Sequence, residues 1–178
     1  MFSTNAADTS TTAPDGALAP IALGPGEGEH FWFFGGLTTI KADGAGTGGR
    51  MMLTEQTAPR GSGSPLHVHH NEDEWFYVLE GELTFWVADA QLSLKAGSFA
   101  FGPKGVPHTF YAEAGGARAL VGFAPMQFEG FQREVGQPAP ERVLPPPLDG
   151  PPDVARLIPI AKQNGFEILG PPGPPPGH

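Results

Sequence analysis

Between residues 66 and 123 the chain breaks into short apolar and aromatic runs with turn signals between them. The runs are Leu66–His69, Glu74–Leu79, Leu83–Val87, Gln91–Leu94, Ser98–Phe101, His108–Tyr111 and Ala119–Phe123. The punctuation is Glu80-Gly81-Glu82, Asp89, Ala96-Gly97, Pro103-Lys104-Gly105 and Gly115-Gly116. Many short strands at regular spacing predict an all-β sandwich or barrel. Upstream, His30–Phe34, Leu37–Lys41 and Met51–Gln56 read as further strands, with a glycine-rich loop at 43–49.

Helical patterning begins only after Pro125. Phe128, Phe131 and Val135 fall at helical spacing and Gly136 supplies a stop, which predicts a short helix with its Phe face on the barrel. Asp153 reads as the N-cap of a second helix through Asn164, with Pro159 expected to kink or divide it. Phe166–Leu169 reads as a last strand. The organisation expected is a tail at 1–16, a β-barrel at 17–136, and a proline-rich connector, helix and tail at 137–178 packed on the barrel.

Composition narrows this. Glycine (26) and proline (21) together exceed a quarter of the 178 residues, which argues against long helices. With no cysteine, disulfides and thiolate sites are excluded. A net charge of −9 repels phosphate backbones and anionic membranes, so neither nucleic acid nor membrane is an expected partner. No run approaches the length of a membrane span, and the start lacks a basic, apolar leader, so the expected location is cytoplasmic.

Four residues carry candidate chemistry. His67 and His69 are two apart, so on a strand both imidazoles face one side. Glu74 opens the next strand after a short polar turn, and His108 follows the turn Pro103–Pro107. Three imidazoles and one carboxylate make a mixed N/O set suited to one divalent transition metal: Fe, Mn, Co, Ni, Cu or Zn. Such a set leaves a coordination position open for catalysis. Glu74 is a candidate ligand, a candidate proton acceptor, or both.

Other residues are weighed by alternation. Phe76 and Val78 share a face with Glu74, and Phe110 shares one with His108. With Phe101 and Met51 they are candidates for an apolar substrate pocket, although barrel filling explains them as well. His70 is expected at the surface, Glu72 and Asp73 in a solvated turn, and His30 and His178 without identifiable partners. Trp75, Tyr77 and Trp86 are expected on outer faces, which predicts a homodimer unless the two helices cover them instead.

The spacing also carries a resemblance. Gly61-x5-His67-x-His69-x4-Glu74-x6-Gly81 resembles the first cupin motif, and Gly97-x5-Pro103-x-Gly105-x2-His108 resembles the second. At the last position of the second motif the family usually has Asn, and this chain has Ala112. The resemblance implies a cupin (double-stranded β-helix or jelly-roll) barrel with metal inside and one or two short C-terminal helices. The run Ser64–Gly81, Phe128–Phe131 and Gly165–Pro171 are similar to bacterial single-domain cupins grouped with quercetin 2,3-dioxygenases. That implies a metal-dependent dioxygenase taking O2 and a flavonol-like or other enolic aromatic, with Glu74 as the base. The alternatives are a Lewis-acid isomerase, cyclase or hydrolase using the same site, and a non-enzymatic module binding a metal or small ligand.

Overall fold

A computed structural model describes residues 17–147, 150 and 153–175 of the chain. The tail expected at 1–16 and His178 lie outside the described residues. In chain order come β1 (Glu29–Phe33), β2 (Gly36–Ala42), α1 (Gly44–Thr47), β3 (Met52–Ala58), β4 (Pro65–His69), β5 (Asp73–Val87) and β6 (Ala90–Lys95). Then follow β7 (Phe99–Gly102), β8 (His108–Ala124), α2 (Phe128–Val135), β9 (Gln137–Pro138), α3 (Val154–Gln163) and β10 (Phe166–Pro172). Among the described residues no helix is long and apolar enough to cross a membrane.

Two long strands organise the molecule. β5 has 15 residues and β8 has 17, and they pair antiparallel along almost their whole length. Each was expected as two strands. They stay continuous because register shifts at Val78/Glu80 and Gly81/Leu83 let the β5–β8 ladder bend without breaking. Gly81 makes the bend feasible: its φ is +74°, and a Cβ there would sit 2.1 Å from the Gly116 carbonyl oxygen.

The rest of the sheet hangs from this pair. The C-terminal half of β8 continues through β3, β2 and β1 to the two-residue β9, while β4 joins the start of β8 and carries β10 on its other side. β6 and β7 extend the opposite flank of β5. The hydrogen-bonded ladder is therefore curled but not closed into a ring, unlike the closed barrel that the sequence predicts. The jelly-roll class itself fits.

Side-chain alternation fills the inside of the curl. Phe76, Val78, Val121 and Phe123 are almost fully buried. α2 closes one end: Phe128 stacks on Phe123 at 4.5 Å between centroids, and Phe131 meets Phe166 edge-on at 4.6 Å. α3 is capped by Asp153, whose carboxylate accepts from the Arg156 N–H. It runs unbroken through Pro159, so the expected division does not occur. α1, unforeseen in the glycine-rich loop, is a single turn capped by Asp43.

Candidate metal centre

The four expected ligands converge. His67 and His69 lie on the same face of β4, and His67 is the direct cross-strand partner of His108 on β8. Glu74 enters from β5 between β7 and β8, opposite Gly102 and Phe123. All four are buried, and one donor atom from each lies within 4.8 Å of the others. The Glu74 Oε2 atom is 2.7 Å from His108 Nε2, 3.4 Å from His69 Nε2 and 3.7 Å from His67 Nε2.

The far side of each ring is committed. His67 Nδ1–H donates to the Pro65 carbonyl at 2.7 Å, and His108 Nδ1–H donates to the Val106 carbonyl at 2.9 Å. His69 Nδ1–H donates to the Glu72 carboxylate at 2.8 Å. A carbonyl or carboxylate oxygen accepts, so in each neutral ring the hydrogen sits on Nδ1 and the Nε2 lone pair is aimed inward. His69 Nε2 is buried and makes no hydrogen bond among the described residues. Three inward lone pairs facing a carboxylate repel one another unless positive charge sits among them. A divalent transition metal meets that demand with four protein ligands and keeps open positions, whereas Ca or Mg prefers an all-oxygen cage.

Without an ion among them the same groups compete for protons. Burial lowers His67 to about 4 despite the neighbouring Glu74. For His69 burial also pulls down, but the Glu72 and Glu74 carboxylates outweigh it and raise the ring to about 9. Burial would raise Glu74, yet when the rings are protonated at Nε2 as well, hydrogen bonding from His108, His67 and His69 holds it well below the usual carboxylate range.

Beside the centre lies a cavity of about 70 Å³ that reaches only two of the four ligands, His67 and Glu74. Its apolar wall is built from Phe33, Phe34, Phe110, Phe128, Phe131 and Phe166, and Thr38, Gln56 and Ser64 lie on its polar edge. At roughly 10–15 Å³ per water it holds a handful of waters or a small molecule.

The expected pocket residues fare unevenly. Phe110 lines this cavity. Phe76 and Val78 do not; they are buried at 1% and 0% exposure in the core beneath it. Phe101 is 47% exposed, because its face of β7 is the outside of the sheet. Met51 is absent from the lining and sits in the connection between α1 and β3. Alternation tells which residues share a face, not which face is inside.

Other expectations are corrected too. Glu72 is 1% exposed, not in solvent, because it is trapped between His69 and the start of α2. Trp86 is buried rather than outward. His30 has a partner, Thr39 Oγ1 at 3.0 Å. His70 is at the surface, 3.6 Å from Glu167. Phe33, Phe34 and Phe166 come from segments whose contact with the centre no local motif announces.

The fold and this constellation are similar to those of cupins. Residues 54–122 match the family described as Cupin domain. Over 135 residues, 76% of its length, the chain is 30% identical to the quercetin 2,3-dioxygenase of Bacillus subtilis strain 168. It spans 40% of that relative's length. The fold is similar to an RmlC-like cupin from Shewanella frigidimarina NCIMB 400, with a TM-score of 0.51 and 21% identity over 58% of this chain and 90% of that one. A Bacillus subtilis oxalate decarboxylase variant matches with a TM-score of 0.51 and 20% identity, covering 62% of this chain and 30% of the other. These two structural likenesses speak to the fold.

Proposed function

We propose that the chain is a metal-dependent dioxygenase acting on a flavonol-like or other enolic aromatic. The observation that carries this reading is that Glu74 borders both the metal seat and the phenylalanine-walled cavity. The 30% identity to a quercetin 2,3-dioxygenase supports it.

A metal ion held by His67, His69, His108 and Glu74 supplies Lewis acidity towards a bound hydroxyl and a place for O2 to meet the substrate. The chain's own groups do the rest. Phe33, Phe110 and Phe128 present aromatic faces to a planar substrate and keep bulk water from it. Glu74, kept ionised by its histidine neighbours, accepts the proton of the enolic hydroxyl directed at the seat. Once that hydroxyl is deprotonated, the ring is electron-rich and oriented towards O2.

The test is an oxygen electrode with quercetin and other enolic aromatics, using protein loaded in turn with Fe, Mn, Co and Ni. Uptake with at least one metal is expected. No uptake with any pairing of metal and substrate contradicts the reading.

The size of the cavity favours a second reading, in which the same centre acts as a Lewis acid on a small carbonyl compound without O2. Turnover under strict anaerobiosis selects it. The outer face of β5 and β7 exposes Tyr77, Phe99 and Phe101 at 41%, 60% and 47%. We propose that a second copy covers it, which light scattering checks against a monomer mass of 18.7 kDa.

A further inference from the structure

Glu72 is one residue on a short turn, yet it reaches in two directions. Its Oε1 accepts from His69 Nδ1–H at 2.8 Å. Its Oε2 accepts from the backbone N–H of Gln127 at 2.9 Å and of Phe128 at 3.1 Å. α2 has no cap of its own, since the Gln127 side chain makes no capping bond. A carboxylate from 55 residues upstream therefore caps the helix, where the N-terminal dipole favours negative charge. The helix it caps carries Phe128 and Phe131, which wall the cavity, and Phe128 also lies 5.6 Å from the His69 ring.

We infer that Glu72 is a positioning residue that locks the His69 tautomer to the seating of α2, so that metal binding and the aromatic wall of the cavity are coupled. The inference rests on the metal reading of the centre. With α2 seated, Glu72 is held where it fixes the hydrogen on His69 Nδ1 and points Nε2 at the seat. With α2 displaced, Glu72 loses its two backbone donors and His69 loses its fixed partner. A substrate that shifts Phe128 thereby acts on a ligand it does not touch.

Glu72→Gln cannot keep both arms. If its amide oxygen faces His69, its NH2 meets two N–H donors. If it is flipped, its NH2 faces His69 Nδ1, which must then give up its hydrogen, and Nε2 carries the hydrogen instead of a lone pair.

The experiment titrates metal-free wild type and E72Q with Co(II), following the visible absorption of the bound ion and the far-UV circular dichroism. A 10–100-fold weaker Co(II) affinity with unchanged secondary structure is expected for E72Q. Equal affinity and an unchanged Co(II) spectrum overturn the inference while leaving the metal centre standing. Failure of wild type to bind Co(II) overturns both. Hydrogen exchange on wild type needs no variant: Co(II) is expected to slow exchange of the Gln127 and Phe128 amides. Unaltered exchange there on metal binding contradicts the coupling even where E72Q does not fold.

Discussion

His67 and His108 stand directly opposite each other, the one Cα pairing that β4 and β8 make. Cross-strand partners project to the same face with Cβ atoms about 5 Å apart, so one register position delivers two ligands to one point. The rings are 4.5 Å apart between centroids. The two long strands exist, in effect, to bring His108 and Glu74 to where β4 already holds His67 and His69.

Removing one of the opposed rings should abolish tight metal binding. In wild type, metal at about 100 times its Kd should add about 2.7 kcal/mol of stability, seen as a rise in melting temperature. His108→Ala should lose most of that rise. An unchanged metal-dependent shift in a thermal melt speaks against His108 as a ligand.

Glu74→Gln keeps the volume and removes the charge. Three histidines remain to hold the ion, more weakly, and the proton acceptor is gone. Turnover at saturating metal should fall by about 10²–10⁴. Steady-state rates with the metal content measured on the same samples separate lost catalysis from lost metal.

Much of this centre was legible because the cupin spacing fixes two ligands by the strand period and frames them with turn glycines. Gly81 is one of those frame residues, and the structure shows why it must be glycine. Glu72 was not legible. In a run of polar residues a carboxylate reads as solvated, and its burial comes from α2, far along the chain. Phe101 misled for a different reason: it shares a face of β7 with Phe99, and β7 turns that face to solvent. The membership of Phe33 and Phe166 in the cavity depends on how β1 and β10 close over the centre, which no local pattern encodes.

Gly81→Ala should be strongly destabilising. The left-handed backbone costs about 1–2 kcal/mol for a residue with a Cβ, and the contact with the Gly116 carbonyl adds to it. The urea midpoint should drop by more than for Gly97→Ala, whose added Cβ meets nothing within 4 Å although its φ is also positive. Equal midpoints for the two variants contradict the close approach of the β5 bend to Gly116.

Acid sensitivity should come in part from Glu55. Burial opposes its charge, but hydrogen bonds from Arg118, Arg142 and Lys41 win and hold its carboxyl below the usual value of 4.5. A carboxyl lowered in the folded state contributes stability that is present above pH 4.5 and lost as pH falls through the folded value. Wild type should therefore lose stability below pH 4.5 more steeply than Glu55→Gln. Chemical denaturation at pH 6 and at successively lower pH compares the slopes.

The central claim is a metal ion seated among His67, His69, Glu74 and His108. Anomalous diffraction from crystals grown with Zn(II) tests it most directly. The account predicts one strong peak about 2.0–2.1 Å from the three Nε2 atoms, with a Glu74 oxygen in the same shell. A well-ordered site whose four side chains point apart, with the anomalous signal elsewhere or absent, contradicts it.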